Sequence, residues 1–111
     1  MTASYDADNI FAKILLGDIP CHKVFEDENA IVFMDVMPQS AGHTLIVPKA
    51  ESRNLLDADP SVLATVAPLL RRVAVAAKQA FGADGISVMQ FNEVAGGQTV
   101  YHLHFHVIPR Y

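Results

Sequence analysis

The sequence predicts an α+β fold: a five-stranded antiparallel sheet with one long helix and a short N-terminal helix. Three observations lead there. Short apolar runs of strand length succeed one another through short turns, a single long stretch has helical spacing, and residues 101–108 alternate polar with apolar near the C-terminus. Strand running into strand with only one long helical interruption favours an antiparallel sheet over a parallel, doubly wound one.

The elements follow in order. Residues 1–8 carry no periodic pattern and are expected to fray, leaving 9–111 as a single domain. Asn9 caps a short helix whose apolar residues Ile10, Phe11, Ile14 and Leu15 recur at helical spacing before Gly17. A strand is expected over 22–25, and the Glu26-Asp27-Glu28-Asn29 cluster supplies a turn. Two richer strands follow, 30–34 and 43–47, the second ended by Pro48. From Asp59 to Phe81 the spacing is helical: Val62, Val66, Leu69, Leu70, Val73, Ala77 and Phe81 form one stripe, with Asp59 as N-cap and Pro60 as first helical residue. Pro68 removes a backbone bond inside that run, so the expectation is a kink, or a helix that begins near Pro68. Gly82 and Gly85 bracket the exit, a strand is read over 86–91, and a loop over 92–98 precedes the last strand.

Composition narrows the functional classes. At 111 residues and 51% hydrophobic the chain is one ordered domain, and a net charge of −4 with neutral histidines leaves no basic footprint for a nucleic acid polymer. No signal pattern opens the chain and no unbroken apolar run approaches a membrane span, so a cytoplasmic protein with no membrane partner is expected. Cys21 is the only cysteine, which rules out an intrachain disulfide and cysteine-rich metal sites, and it reads as an inert, partly buried thiol.

The alternating segment Tyr101-His102-Leu103-His104-Phe105-His106-Val107-Ile108 carries the chemistry. On a strand, residues at i, i+2 and i+4 share a face, so the three imidazoles form one row roughly 13 Å long, with Leu103, Phe105 and Val107 turned to the core. Three uses fit such a row. It could be ordinary half-buried patterning, a metal site completed by His43, Asp35 or another carboxylate, or a nucleophilic imidazole attacking phosphorus with two helpers. Gly96-Gly97-Gln98-Thr99, just before it, offers backbone N–H groups and a hydroxyl to phosphate oxygens and adds weight to the third use.

Residues 97–108 closely resemble the histidine-triad (HIT) signature, in which three histidines alternate with apolar residues. Residues 9–14 with Gly17-Asp18-Ile19-Pro20 match the family's opening helix and turn, residues 33–38 its second strand, and Gly42-His43-Thr44-Leu45-Ile46-Val47-Pro48-Lys49 the next strand. The resemblance implies a nucleotide hydrolase or transferase in which His104 attacks the α-phosphorus of a nucleotide conjugate and forms a covalent nucleotidyl-histidine, with no metal required. It implies that His106 contacts the phosphate and assists the leaving group, and that His102 and His43 form a relay behind the nucleophile. Asp35 would hold the ribose hydroxyls, and Ile10, Phe11, Ile14, Phe33 and Val36 the base. Asn92, Gly97, Gln98 and Thr99 would bind phosphate and hold the nucleophile region, while His22 lies outside the site.

The substrate implied is a purine nucleoside phosphoramidate. A dinucleoside polyphosphate, or a binding role with little turnover, is the alternative. Two departures stand out. Where many bacterial relatives carry a Cys-x-x-Cys that takes part in structural zinc, this chain has Asn9 and Ala12, so neither zinc nor a cofactor is expected. Relatives also generally continue past the triad strand into a tail that shapes the leaving-group side, whereas this chain stops at Arg110-Tyr111; a short member or a trimmed chain is expected. The family's homodimers imply self-association, which the apolar surplus of residues 66–80 favours independently.

Overall fold

The computed structural model describes residues 5–111. Helix α1 (Ile10–Leu15) is followed by β1 (Lys23–Glu26), β2 (Ala30–Met34) and β3 (Thr44–Pro48), then α2 (Pro60–Phe81), β4 (Gly85–Met89) and β5 (Phe105–Arg110). Two single 3-10 turns, Leu55–Asp57 and Val94–Gly96, interrupt the loops. The strands form one antiparallel sheet in the order β1-β2-β3-β5-β4. The predicted fold class is therefore the observed one, with the ends of β1 to β4 within two residues of expectation.

Alternation along the two central strands sorts the core onto two faces. Ala30, Val32 and Ile46, with Val107 of β5, pack beneath Leu69 and Ala77 of α2. Their neighbours Ile31, Phe33, Leu45 and Val47 turn the other way and meet Phe11 of α1. Burying each such aliphatic side chain contributes roughly 1.5–3 kcal/mol, and a one-residue slip would exchange the two sets. That penalty sets the register pairing Leu45 with His106 and Thr44 with Val107.

Helix α2 runs unbroken through Pro68, so of the two expectations, a kink or a start near Pro68, the late start does not occur. Pro68 and Ala64, the residue whose carbonyl loses its partner, are both exposed, so water satisfies the freed oxygen. Asp59 accepts from the Ser61 N–H at one end and Gly82, left-handed at φ 60°, closes the other. Gly42 (φ +89°) lets the chain turn into β3 against the end of α2, since a Cβ there would stand 2.6 Å from the Phe81 ring.

Two further expectations need correction. Of the stretch expected to fray, Met1 to Ser4 lie outside the described residues, but Tyr5 is anchored: its hydroxyl lies 2.6 Å from Nδ1 of His102. The last strand begins only at Phe105, so His102 and His104 stand before it. The partner strand explains this. Pro48 has no N–H to donate, its carbonyl is taken by Nε2 of His102 at 2.7 Å, and the Leu103 N–H goes instead to the Ser52 carbonyl at 2.8 Å.

Candidate active site

A cavity of about 390 Å³ opens on the sheet face opposite α2. Ile10, Phe11 and Ile14 wall it from α1, Phe33, Asp35 and Val36 from the end of β2, and Thr99, His104 and His106 from the C-terminal segment. Nine of the residues predicted from sequence are thus brought together around one space. Five others are not on its lining: the buried His43 and His102, and Asn92, Gly97 and Gln98 of the neighbouring loop. His22 is exposed and does not line it.

The row of three imidazoles is in fact a pair with a third behind. The rings of His104 and His106 lie 5.0 Å apart, edge to face, and Phe11 and Phe91 pack against their outer sides. His102, expected beside them, is wholly buried. Only Phe105 and Val107 reach the helix-side core.

Each ring's proton can be placed from its partners, because a carbonyl only accepts and a backbone N–H only donates. Nδ1 of His104 lies 2.7 Å from the His102 carbonyl and carries the hydrogen, leaving Nε2 with its lone pair. Nε2 of His102 donates to the Pro48 carbonyl, so its Nδ1 accepts from Tyr5. Nδ1 of His43 accepts from the Gln39 N–H at 3.0 Å, so its Nε2–H donates to Nδ1 of His106 at 2.9 Å, which leaves Nε2–H on His106.

Burial is the largest influence on all four rings and holds each below the ordinary histidine range. For His106, burial together with the neighbouring His104 and His43 brings it to about 4. All four are neutral at pH 7, the state in which an imidazole is nucleophilic.

Asp35, His43 and His106 place potential metal-ligating atoms within 4.8 Å of one another. The hydrogen bonding does not suit a cation there. His43 could offer Nε2 only by moving its proton to Nδ1, where the Gln39 N–H already points. Its hydrogen bonds run instead from the Gln39 N–H through His43 to His106. Oδ1 of Asp35 accepts from the Met37 N–H, while Oδ2, 3.4 Å from Nε2 of His43, is the less committed oxygen.

Of the two roles expected of Gln98, its bonds fit the holding one. Its side-chain oxygen accepts from Asn54 and the Glu93 N–H, its amide donates to the carbonyls of Arg53 and Val100, and its own N–H goes to the Glu93 carbonyl. No capacity remains for phosphate, and the residue instead braces the loop. Arg53 and Asn54 both hold the Glu93 carboxylate, Arg53 with two bonds of 2.9 and 3.2 Å. They keep Glu93 at φ 66° and ψ 167°, an extended positive-φ conformation that ordinarily costs a non-glycine residue about 1–3 kcal/mol. Asn92 accepts from the Leu55 N–H and exchanges amide bonds with Gln90, a second brace. Gly97, at φ +98°, is packed so that a Cβ would stand 3.3 Å from Phe91, the ring lying against His106.

Sequence reasoning missed Tyr5, Arg53, Asn54 and Glu93, and also Cys21, which lines the cavity with its thiol pushed up chiefly by burial. The capping box of Asn54 and Asp57 was the one local signal available.

The likeness to known proteins covers most of the chain. A solved structure from Bartonella henselae, described as a Hit-like protein involved in cell-cycle regulation, superposes with a TM-score of 0.95 at 59% identity, over 96% of this chain and 82% of that one. An adenylylsulfatase of Arabidopsis thaliana is 37% identical over 93% of this chain, which spans about half (52%) of that protein's length. An adenosine 5'-monophosphoramidase of Schizosaccharomyces pombe is 37% identical, across 91% of this chain and 73% of its own. The model of the HIT domain matches residues 17–111, a span that contains β1 to β5, the buried His43, His102 and His104 and the half-buried His106, and the chain belongs to that family.

Proposed function

We propose that this chain is a nucleotide hydrolase or transferase that cleaves a purine nucleoside phosphoramidate, or a related nucleotide conjugate, at the α-phosphorus through a covalent nucleotidyl-histidine on His104. The observation that carries this reading is the fixed proton of His104: with Nδ1–H held by a carbonyl, the lone pair of Nε2 is available in a cavity it shares with His106 and Asp35. The monophosphoramidase and adenylylsulfatase among the relatives, both named for reactions of adenosine nucleotides, support the same class.

The steps follow from the hydrogen bonds. A bound phosphate anion draws a proton onto His106, since an opposite charge nearby favours the imidazolium. Nε2–H of His43 then keeps a partner, because Oδ2 of Asp35 lies 3.4 Å away. Attack by Nε2 of His104 forms the N–P bond and breaks the bond to the leaving nitrogen, which takes its proton from His106 and departs as the amine. Neutral again, His106 removes a proton from the incoming water, whose oxygen displaces His104. The positive charge on the intermediate sits against the His102 carbonyl dipole. Asp35 binds the ribose hydroxyls, Ile10, Phe11, Ile14, Phe33 and Val36 enclose the base, and Thr99 meets the phosphate.

The protein acts in the cytoplasm as a homodimer. A hollow of about 600 Å³ on the other side of the molecule, between β1 and α2, is lined by Val24, Phe25, Val73, Val75, Ala76 and Phe81, and several of these are exposed. Such a surface suits a second copy of the chain, and a monomeric sedimentation profile at micromolar concentration would contradict it. Incubation with an adenosine phosphoramidate and, separately, a diadenosine polyphosphate, following nucleoside monophosphate release, tests the activity. Turnover of the first is expected; preference for the second makes it a polyphosphate hydrolase, and binding without turnover a sensor.

A further inference from the structure

We infer that Tyr5, steadied by Asn9, is a positioning residue of the hydrolytic site: its hydroxyl donates to Nδ1 of His102 and holds that buried ring in the neutral pose whose carbonyl orients the nucleophile His104. This rests on the hydrolase reading above.

The bonds form one directed chain. Asn9 accepts from the Ala12 N–H as N-cap of α1, and its amide donates to the Tyr5 hydroxyl at 3.1 Å and to the Asp6 carbonyl at 2.8 Å. That hydroxyl, with its lone pair engaged by Asn9, gives its hydrogen to Nδ1 of His102 at 2.6 Å. Nε2–H of His102 is spent on Pro48, and the carbonyl of the same residue receives Nδ1–H of His104. The Tyr5 ring also packs edge-on to His102, with centroids 5.6 Å apart. One side chain thereby ties the N-cap of the helix that walls the cavity to the backbone that sets the nucleophile's proton.

The hydroxyl does what no apolar cover could. His102 is sealed, so a vacant Nδ1 lone pair would have no solvent to turn to. A donor at that nitrogen stabilises only the unprotonated ring, and so keeps a positive charge away from His104. The titratable groups facing His102 are Tyr5 from the N-terminal segment, Glu51 from the loop after β3, and His104 itself. Glu51 favours the protonated ring, so the Tyr5 donor opposes it. Burial first, then the charges of Glu51 and Asp6, raise the Tyr5 phenol and keep it protonated.

The test is Tyr5→Phe, which retains the ring packing and deletes only the hydrogen bond, with Asn9→Ser as a milder variant that keeps an N-cap oxygen. With an adenosine phosphoramidate, Tyr5→Phe is expected to lower kcat about tenfold at pH 7 with KM within about twofold, and to move the acid limb of the kcat profile upward by on the order of one pH unit. Asn9→Ser should shift it the same way and less. A purely structural contact would lower kcat equally at every pH, and a superimposable profile or a uniform loss overturns the assignment. Histidine 15N NMR of the protein without substrate reads the lock independently: His102 should resist protonation in the wild-type chain and titrate at higher pH in Tyr5→Phe. An unchanged titration contradicts the lock. Absence of turnover by either protein contradicts the hydrolase reading instead.

Discussion

The two ends of the histidine segment are held by different kinds of partner. At the His102–His104 end every ring nitrogen that donates does so to a backbone carbonyl, and the chain there has left the sheet. At the His106 end the residue sits in β5, between Leu45 and Met89, and its ring answers to another side chain, His43. Backbone partners cannot be mutated away and do not titrate, which suits a nucleophile whose lone pair must always face the same way. Side-chain partners can exchange protons, which suits a group that gives a proton in one step and takes one in the next.

The largest effect should come from the backbone-held end. His104→Ala is expected to lower turnover by on the order of 10^4-fold or more while nucleotide affinity stays intact, because the covalent step alone is lost. Wild-type-like turnover would break the comparison outright. At the other end, His43→Ala leaves Nδ1 of His106 without its donor and should lower turnover about 10²-fold, the range of general acid–base assistance. If His43→Ala matched His104→Ala, the two ends would not have separable roles.

Smaller still is the expected effect at Asp35, which touches the relay through one oxygen only. Asp35→Ala should weaken binding of a nucleoside monophosphate by about 1.5–3 kcal/mol, as lost charge-assisted bonds to ribose do, read by calorimetry. A change in kcat with affinity preserved would move Asp35 into the relay.

The smallest effect is on stability. All four rings are held below the ordinary histidine range, so as pH falls from 6.5 the unfolded chain takes up protons that the native one refuses. Stability present above that pH is lost progressively until, near pH 4, His106 also titrates in the native state. The urea midpoint should therefore fall between pH 7 and pH 5, before most carboxylates contribute; a flat midpoint there would mean the rings are not neutral and buried together.

Local pattern accounts for much of what the sequence predicted correctly. Asn9 as N-cap, β2 to the residue, Asp59 and Pro60 opening α2, and the gathering of Phe33, Asp35, His104 and His106 all follow from spacing, capping or the family signature. What escaped depends on contacts between distant segments. Tyr5 and His102 are separated by 97 positions, and no periodicity marks such a pair. Strand alternation misplaced His102 because Pro48 ends the ladder on the partner strand, a constraint read only once β3 and β5 are known to be neighbours. Gln98 resembles a phosphate ligand in sequence, yet the loop turns it inward onto Asn54. Pro68 leaves α2 unbroken because Ala64, whose carbonyl it frees, is exposed, which spacing along the chain does not show.

The central claim is that Nε2 of His104 forms a bond to phosphorus. Mixing the protein with an adenosine phosphoramidate, quenching in base to preserve the acid-labile N–P bond, and mapping the adduct by peptide mass spectrometry tests it directly. One adenylyl group on His104, lost in His104→Ala, is the predicted result; turnover with no adduct on any histidine, or an adduct carried by His106 or His102, would contradict it.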